Sequence, residues 1–341
     1  MKKIISVILT FSLLAALLPI LATEANAYSE NIIKVGLYYG SSAMPSANLA
    51  NEVGDGYNFG WFDSNREFYY IGYTYENKIT TMKDTNMYLS GGTYYDSMAP
   101  AGYTTIGAYH VDIGESYGTY DDALYAAYDI ESETGVNAFP AYINGDYRVR
   151  AGSYSSKSSA ENAALDLGFS AGFVVGNSST CYTVTVTSTG EIIFEFDNGS
   201  PFGIQPTGTE DTITWFKGYK YRGAFEYNRR NGGDVTVINV VGLTDYVKGV
   251  IPYEMNPNWH IECLKAHAAQ QVLLLRIKIN TALMDLMCAT LLIARCIVEQ
   301  ILQQQILIWR QRLSAVLGFT LKVNFATLYT TLQMEEPQRA R

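Results

Sequence analysis

The residue best placed to do acid–base chemistry is Glu254, in the run Gly249-Val250-Ile251-Pro252-Tyr253-Glu254-Met255. Ile251, Pro252, Tyr253, Met255 and Trp259 surround it in sequence with little polar competition. A carboxyl partly buried among such neighbours holds its proton to higher pH and can act as a general acid near neutrality. The bland alternative is a solvent-facing glutamate in a turn before a helix. His260, Cys263 and His267 are ligand-type residues, but on one helix they share a face, which packing alone explains. They read as structural, so no metal and no cofactor is expected. Cys181 has no evident partner, and Arg229-Arg230 beside a turn read as a solvated charge pair.

These residues need elements to hold them. Val235-Thr236-Val237-Ile238-Asn239-Val240-Val241 is a β-branched strand following a Gly232-Gly233-Asp234 turn. Asn258 can cap a helix whose apolar residues Ile261, Leu264 and Ala268 fall at i, i+3 and i+7, and Pro257 blocks its extension upstream. Earlier in the chain, from Asn31 to about Val136, apolar and polar residues alternate between Gly, Asn, Asp and Ser clusters. Ile33–Tyr39 and Phe68–Tyr73 read as strands in this β-rich stretch. Ala141–Ile143 and Tyr147–Tyr154 flank an Asn144-Gly145-Asp146 turn, and a helix opens in the serines from Ser155 and ends near Leu167-Gly168. Strands resume at Tyr182–Val186 and Ile192–Phe196.

Residues Tyr221–Gln271 resemble the catalytic domain of the stage II sporulation protein D (amidase-enhancer) family. The matching features are Tyr221-Arg222-Gly223, the strand Val235–Val241, Asp245-Tyr246, Pro252-x-Glu254-Met255, Trp259 and Lys265-Ala266, in family order. The resemblance implies a lytic transglycosylase acting on peptide-free glycan strands of peptidoglycan, with Glu254 as catalytic acid/base. A non-catalytic role in binding wall glycans and enhancing a cell-wall amidase is the alternative. The strand, Ser-rich turn and Ala-rich helix around residues 141–167 resemble a SPOR domain, a small α/β module that binds stripped glycan strands. That resemblance points to Tyr147 and Tyr154 as glycan-binding candidates. A net charge of −9 argues against a nucleic-acid partner.

At the N-terminus Lys2-Lys3, an apolar run from Ile4 to Leu21 and Ala25-Asn26-Ala27 have the layout of an export signal cleaved before Tyr28. An uncleaved membrane anchor is the alternative; either places the rest of the chain outside the cytoplasmic membrane. After Gln271 the composition breaks. The last 70 residues hold one of 27 tyrosines and one of 29 glycines, with 14 leucines and a charge of +4, whereas residues 28–271 carry −14. Plausible codons for Leu328–Arg339, shifted in frame, spell a tyrosine-serine-serine-x-glycine-glycine stretch that resembles the family's. The same offset gives family-like segments for Asn280–Ala289 and Ala294–Gln300, so a frameshift near Gln270–Val272 is expected, removing the zinc site of some family members. The expected architecture is α+β. A signal peptide (1–27) and a β-rich region (28–135) lead to a SPOR-like α/β region (136–215). The first part of the sporulation-type domain (216–271) follows, then an aberrant helical or disordered tail (272–341).

Overall fold

A computed structural model describes residues 32–280 and 287–288, apart from 98–100, 169–172, 209–211 and 257. The expected signal segment and most of the expected tail lie outside the described residues. Among the described residues no helix is long and apolar enough to cross a membrane.

The architecture is α+β, built on two large sheets. The first runs in the order β20 (Met287–Cys288), β1 (Ile32–Tyr38), β19 (Val235–Gly242), β18 (Ala224–Arg229), β15 (Phe202–Pro206), β3 (Tyr57–Phe62) and β4 (Phe68–Thr74). Seven of the eight residues of β19 are buried. Such a β-branched run, apolar on both faces, suits the centre of a sheet rather than its edge. It pairs antiparallel with β1 from Ile32↔Gly242 and with β18 from Ala224↔Val240. Just before β18, Gly223 sits at φ +79, and a Cβ there would lie 2.4 Å from the Val240 carbonyl oxygen. Only glycine fits that corner. Asn239 closes it by donating from Nδ2 to the Arg222 and Ala224 carbonyls.

The second sheet begins with β12 (Val174–Gly176), β9 (Tyr109–Asp112), β11 (Asp146–Tyr154) and β10 (Ala138–Ile143). It continues through β14 (Ile192–Asp197), β13 (Tyr182–Val186), β5 (Lys78–Lys83), β2 (Ser46–Asn51), β16 (Thr214–Phe216) and β17 (Tyr219–Tyr221). Aromatic side chains of the two sheets meet between them: Phe59 stacks on Phe194 at 4.8 Å and Phe196 on Phe202 at 4.9 Å. Strands from residues 28–135, 136–215 and 216–271 interleave in both sheets, as where β1 meets β19 and β2 meets β16.

One end of the second sheet is a β-α-β-β-α-β unit, running from β9 through α1 (Tyr120–Thr134), β10, β11 and α2 (Lys157–Asp166) to β12. The spatial order β12-β9-β11-β10 is that of the split β-α-β arrangement. The Asn144-Gly145 turn joins β10 to β11 with both residues at positive φ. Ser156 caps α2 by accepting from the Ser159 amide, close to where the serines forecast a start. The unit starts at residue 109 rather than within the stretch from 136, because α1 lies in the part expected to be strands and turns. Thr119 caps α1 and Gly135 ends it in the left-handed conformation. Ala123 and Ala127 of α1 are buried against Ala138, Val149 and Ala151. A three-stranded sheet, β7 (Thr93–Tyr95), β6 (Met87–Ser90) and β8 (Thr104–Ile106), contributes Met87, Leu89, Tyr94 and Ile106 to a separate cluster with Phe139 and Ile192.

Candidate functional site

The chain turns directly from β19 into α3 (Leu243–Glu254), and α4 (Ile261–Asn280) follows. Leu243 and Val247 pack on Ile33, Val35 and Val241, and Tyr246, Ile251, Ala268 and Val272 complete the cluster. This small core hangs the two helices on the edge region of the first sheet. Asp245 lies in the first turn of α3, where a carboxylate suits the positive end of the helix dipole, and pairs with Lys248 at 3.2 Å.

Glu254 is the last residue of α3, two positions after Pro252. A connector then brings α4 back beside it, with the Trp259 amide donating to the Asn256 carbonyl. The cap of α4 is His260 rather than Asn258: the Glu262 amide donates to His260 Nδ1 at 3.3 Å, and the Cys263 and Leu264 amides to its carbonyl. Asn258 instead donates its own amide to Asn256 Oδ1. Helical spacing places His267 and Gln271 one turn apart on the same face. Both reach Glu254: His267 Nε2 lies 2.7 Å from Oε2, and Gln271 Nε2 donates to the same oxygen at 2.7 Å. Gln271 is buried. The Tyr246 phenol is also close, and burial followed by the charge of Glu254 pushes its pKa up.

The apolar enclosure expected from the flanking residues does not form. The Glu254 side chain keeps 47% of its accessible surface, while Tyr253 and Trp259 stand 80% and 55% exposed. The reason is geometric: residues adjacent on a helix point in different directions, so apolar neighbours in sequence need not wall a side chain. What Glu254 gains is a polar clamp on one oxygen, held by an imidazole and an amide from the next helix.

The other candidates fall elsewhere. Tyr147 is partly buried between the α/β unit and the first sheet, its hydroxyl donating to the Ile71 carbonyl of β4 and its ring packed edge-on against Tyr142. Tyr154, at the end of β11, is half-buried and covers Gly152. Arg229 is not a solvated charge. It donates to the carbonyls of Ser178, Cys181, Gly232 and Gly233, joining the β18–β19 turn to the start of β13, while Arg230 is exposed. His260, Cys263 and His267 do not assemble into a ligand group among the described residues. His267 was legible as sharing a helix face, but its pairing with Glu254 depends on the turn between the helices.

Residues 231–271, the segment holding β19, α3 and the start of α4, match the family model described as stage II sporulation protein. An uncharacterized protein of Brachyspira hyodysenteriae is 42% identical over 60 residues, covering 18% of this chain and 16% of that protein. This chain therefore matches less than a fifth of that relative's length. No solved structure matches. The Glu254 site thus lies within a segment similar to a sporulation-related family.

Proposed function

We propose, taking residues 231–271 as the start of a sporulation-type domain, that this is an exported cell-wall remodelling protein that cleaves peptide-free peptidoglycan glycan strands by lytic transglycosylation. The observation that carries the reading is the arrangement at Glu254: a carboxylate fixed through Oε2 by His267 and Gln271, between exposed Tyr253 and Trp259. Protonated at Oε1, the carboxyl gives its proton to the glycosidic oxygen as the bond to the anomeric carbon breaks. A hydroxyl of the same sugar attacks that carbon and returns its proton to Glu254, leaving an anhydro end and a regenerated acid. Exposed aromatic faces suit the apolar sides of sugar rings. No cofactor takes part in this chemistry.

The experiment is incubation of peptide-free glycan strands with the protein and with Glu254→Gln. Anhydro-ended fragments should fall about 100-fold or more in the variant, the usual scale for a lost general acid. Equal product from both proteins sinks the assignment.

The second reading is a glycan-binding accessory protein that assists a cell-wall amidase. The β-α-β-β-α-β unit of residues 109–176 favours it, since SPOR-like modules are small α/β units. Retention of the Glu254→Gln protein on stripped glycans would support it, and loss of retention in the Tyr154→Ala form would place the contact on β11.

We further infer that residues after Gln271 derive from a shifted reading frame. Resequencing codons 270–272 tests this: an inserted or missing base that restores the family-like frame is expected, and an unambiguous in-frame read overturns it.

A further inference from the structure

On the second sheet, away from Glu254, a group of buried donors converges. Asp84 follows β5, His110 is on β9 and Glu195 on β14. One ligand atom from each lies within 4.8 Å of the others, and all three residues are buried. In the sheet order, β11 and β10 stand between β9 and β14. Three strand spacings are about 14 Å, and the two side chains span that distance to bring His110 Nε2 within 3.1 Å of Glu195 Oε1.

Each donor is anchored through its other atom. His110 Nδ1 lies 2.7 Å from the Gly152 carbonyl, which fixes Nδ1 as the protonated nitrogen and turns Nε2 inward. Gly152, at φ +75, forms the bend that presents this carbonyl. Glu195 Oε2 accepts from Arg150 Nη1 at 2.6 Å, and Asp84 Oδ2 accepts from the Ser178 amide at 2.6 Å. Asp84 Oδ1 is buried and has no hydrogen-bond partner. Thr183 donates to Glu195 Oε1 at 3.1 Å.

Asp112 pairs with Arg148 at 2.5 Å and more distantly with Arg150 at 3.8 Å, Arg150 also pairs with Glu195 at 2.6 Å, and Arg229 lies in electrostatic reach of Asp84, so three carboxylates share these guanidinium groups. Against the effect of burial, Glu195 and Asp84 both raise the proton affinity of the His110 imidazole, and Asp84 Oδ1 is left buried without a partner. A positive charge among the three atoms, a proton on Nε2 or a metal ion, resolves the arrangement.

We propose that Asp84, His110 and Glu195 form a structural site for a divalent transition-metal ion of the zinc class. One imidazole and two carboxylates are a donor set such ions accept, with a water completing four-coordination. The His110–Glu195 separation already approaches the roughly 3.4 Å edge of a tetrahedron with ~2.1 Å bonds, so occupancy requires the Asp84 carboxylate to draw in from within the 4.8 Å span. Bound there, the ion ties β5, β9 and β14 together. The site is separate from the Glu254 chemistry and does not depend on it.

The test uses the full chain stripped with EDTA and titrated with Co2+, followed by competition with Zn2+. His260→Gln/Cys263→Ser serves as the parent, so that His260, Cys263 and His267 cannot act together as a ligand set on α4. One Co2+ per chain with visible ligand-field absorption, displaced by Zn2+, and a melting temperature raised by Zn2+ are expected. Asp84→Asn, of the same size, should weaken binding about 100-fold and abolish the Zn2+-dependent shift. Two results overturn the proposal. One is a parent that binds no Co2+ and melts identically with EDTA and Zn2+, which means that a proton on His110 balances the cluster instead. The other is undiminished binding by folded Asp84→Asn. Should that variant fail to fold, the parent titration decides alone.

Discussion

Between the two sheets, Phe59, Phe194 and Phe202 are wholly buried and pack ring against ring, whereas around Glu254 the large side chains of Tyr253, Trp259 and Ile261 stand in solvent. The body thus holds the packed core, while the α3–α4 arm carries the Glu254 group to which the chemistry is proposed to belong. In the body the aromatic contacts are made within the chain, and each centred pair adds about 0.5–1.5 kcal/mol beyond the burial of its area. In the arm, among the described residues, a small cluster around Val241, Leu243 and Val247 holds the helices down, and Tyr253 and Trp259 stay exposed, free for the glycan of the proposed reading. Damage to one region should be readable without damage to the other.

The largest effect expected on this division is from Phe194→Ala, which opens a cavity at the centre of the aromatic layer. It should cost about 3–5 kcal/mol in chemical denaturation. An arm independent of the body would leave the protein still folded at low denaturant with its product yield per folded molecule unchanged; a parallel loss of yield would show that the two regions are coupled. Next, His267→Gln removes the imidazole from Glu254 Oε2. A hydrogen bond to a charged group is worth about 1.5–3 kcal/mol when buried, and this one is partly exposed, so a drop of roughly tenfold in glycan cleavage is expected with little change in melting temperature. An unchanged rate would assign His267 to packing. The smallest effect is Thr119→Ala at the start of α1, where loss of the cap should lower stability by about 1 kcal/mol and leave cleavage untouched.

The division also accounts for what the amino-acid order reveals. The strand Val235–Gly242 and the turn at Asn144-Gly145 were legible because β-branched runs and paired turn residues act locally. The helix α1 was not, since its apolar face is alanine while Tyr125 and Tyr128 lie exposed, so tyrosine blurs the helical period that would mark it. At the site, Glu254 stood out through its motif. Its partners His267 and Gln271 did not, because they meet it only once α4 folds back through the connector. Arg229 was misread for a related reason: the carbonyls it binds at Ser178 and Cys181 are some fifty residues away in the chain. The Asp84–His110–Glu195 group is further still from legibility, as its members come from three segments brought together only by the strand order of a sheet.

The pairing of β1 with β19 carries a consequence in time. Ile32 finds its partner at Gly242, so the first strand described must wait while about two hundred further residues are made. At roughly 5–20 residues per second this is ~10–40 s, during which an apolar strand is chemically finished and structurally unemployed. Any factor that shields an emerging strand over that interval, or any pause that lengthens it, acts on the yield of this protein before the rest of its fold exists.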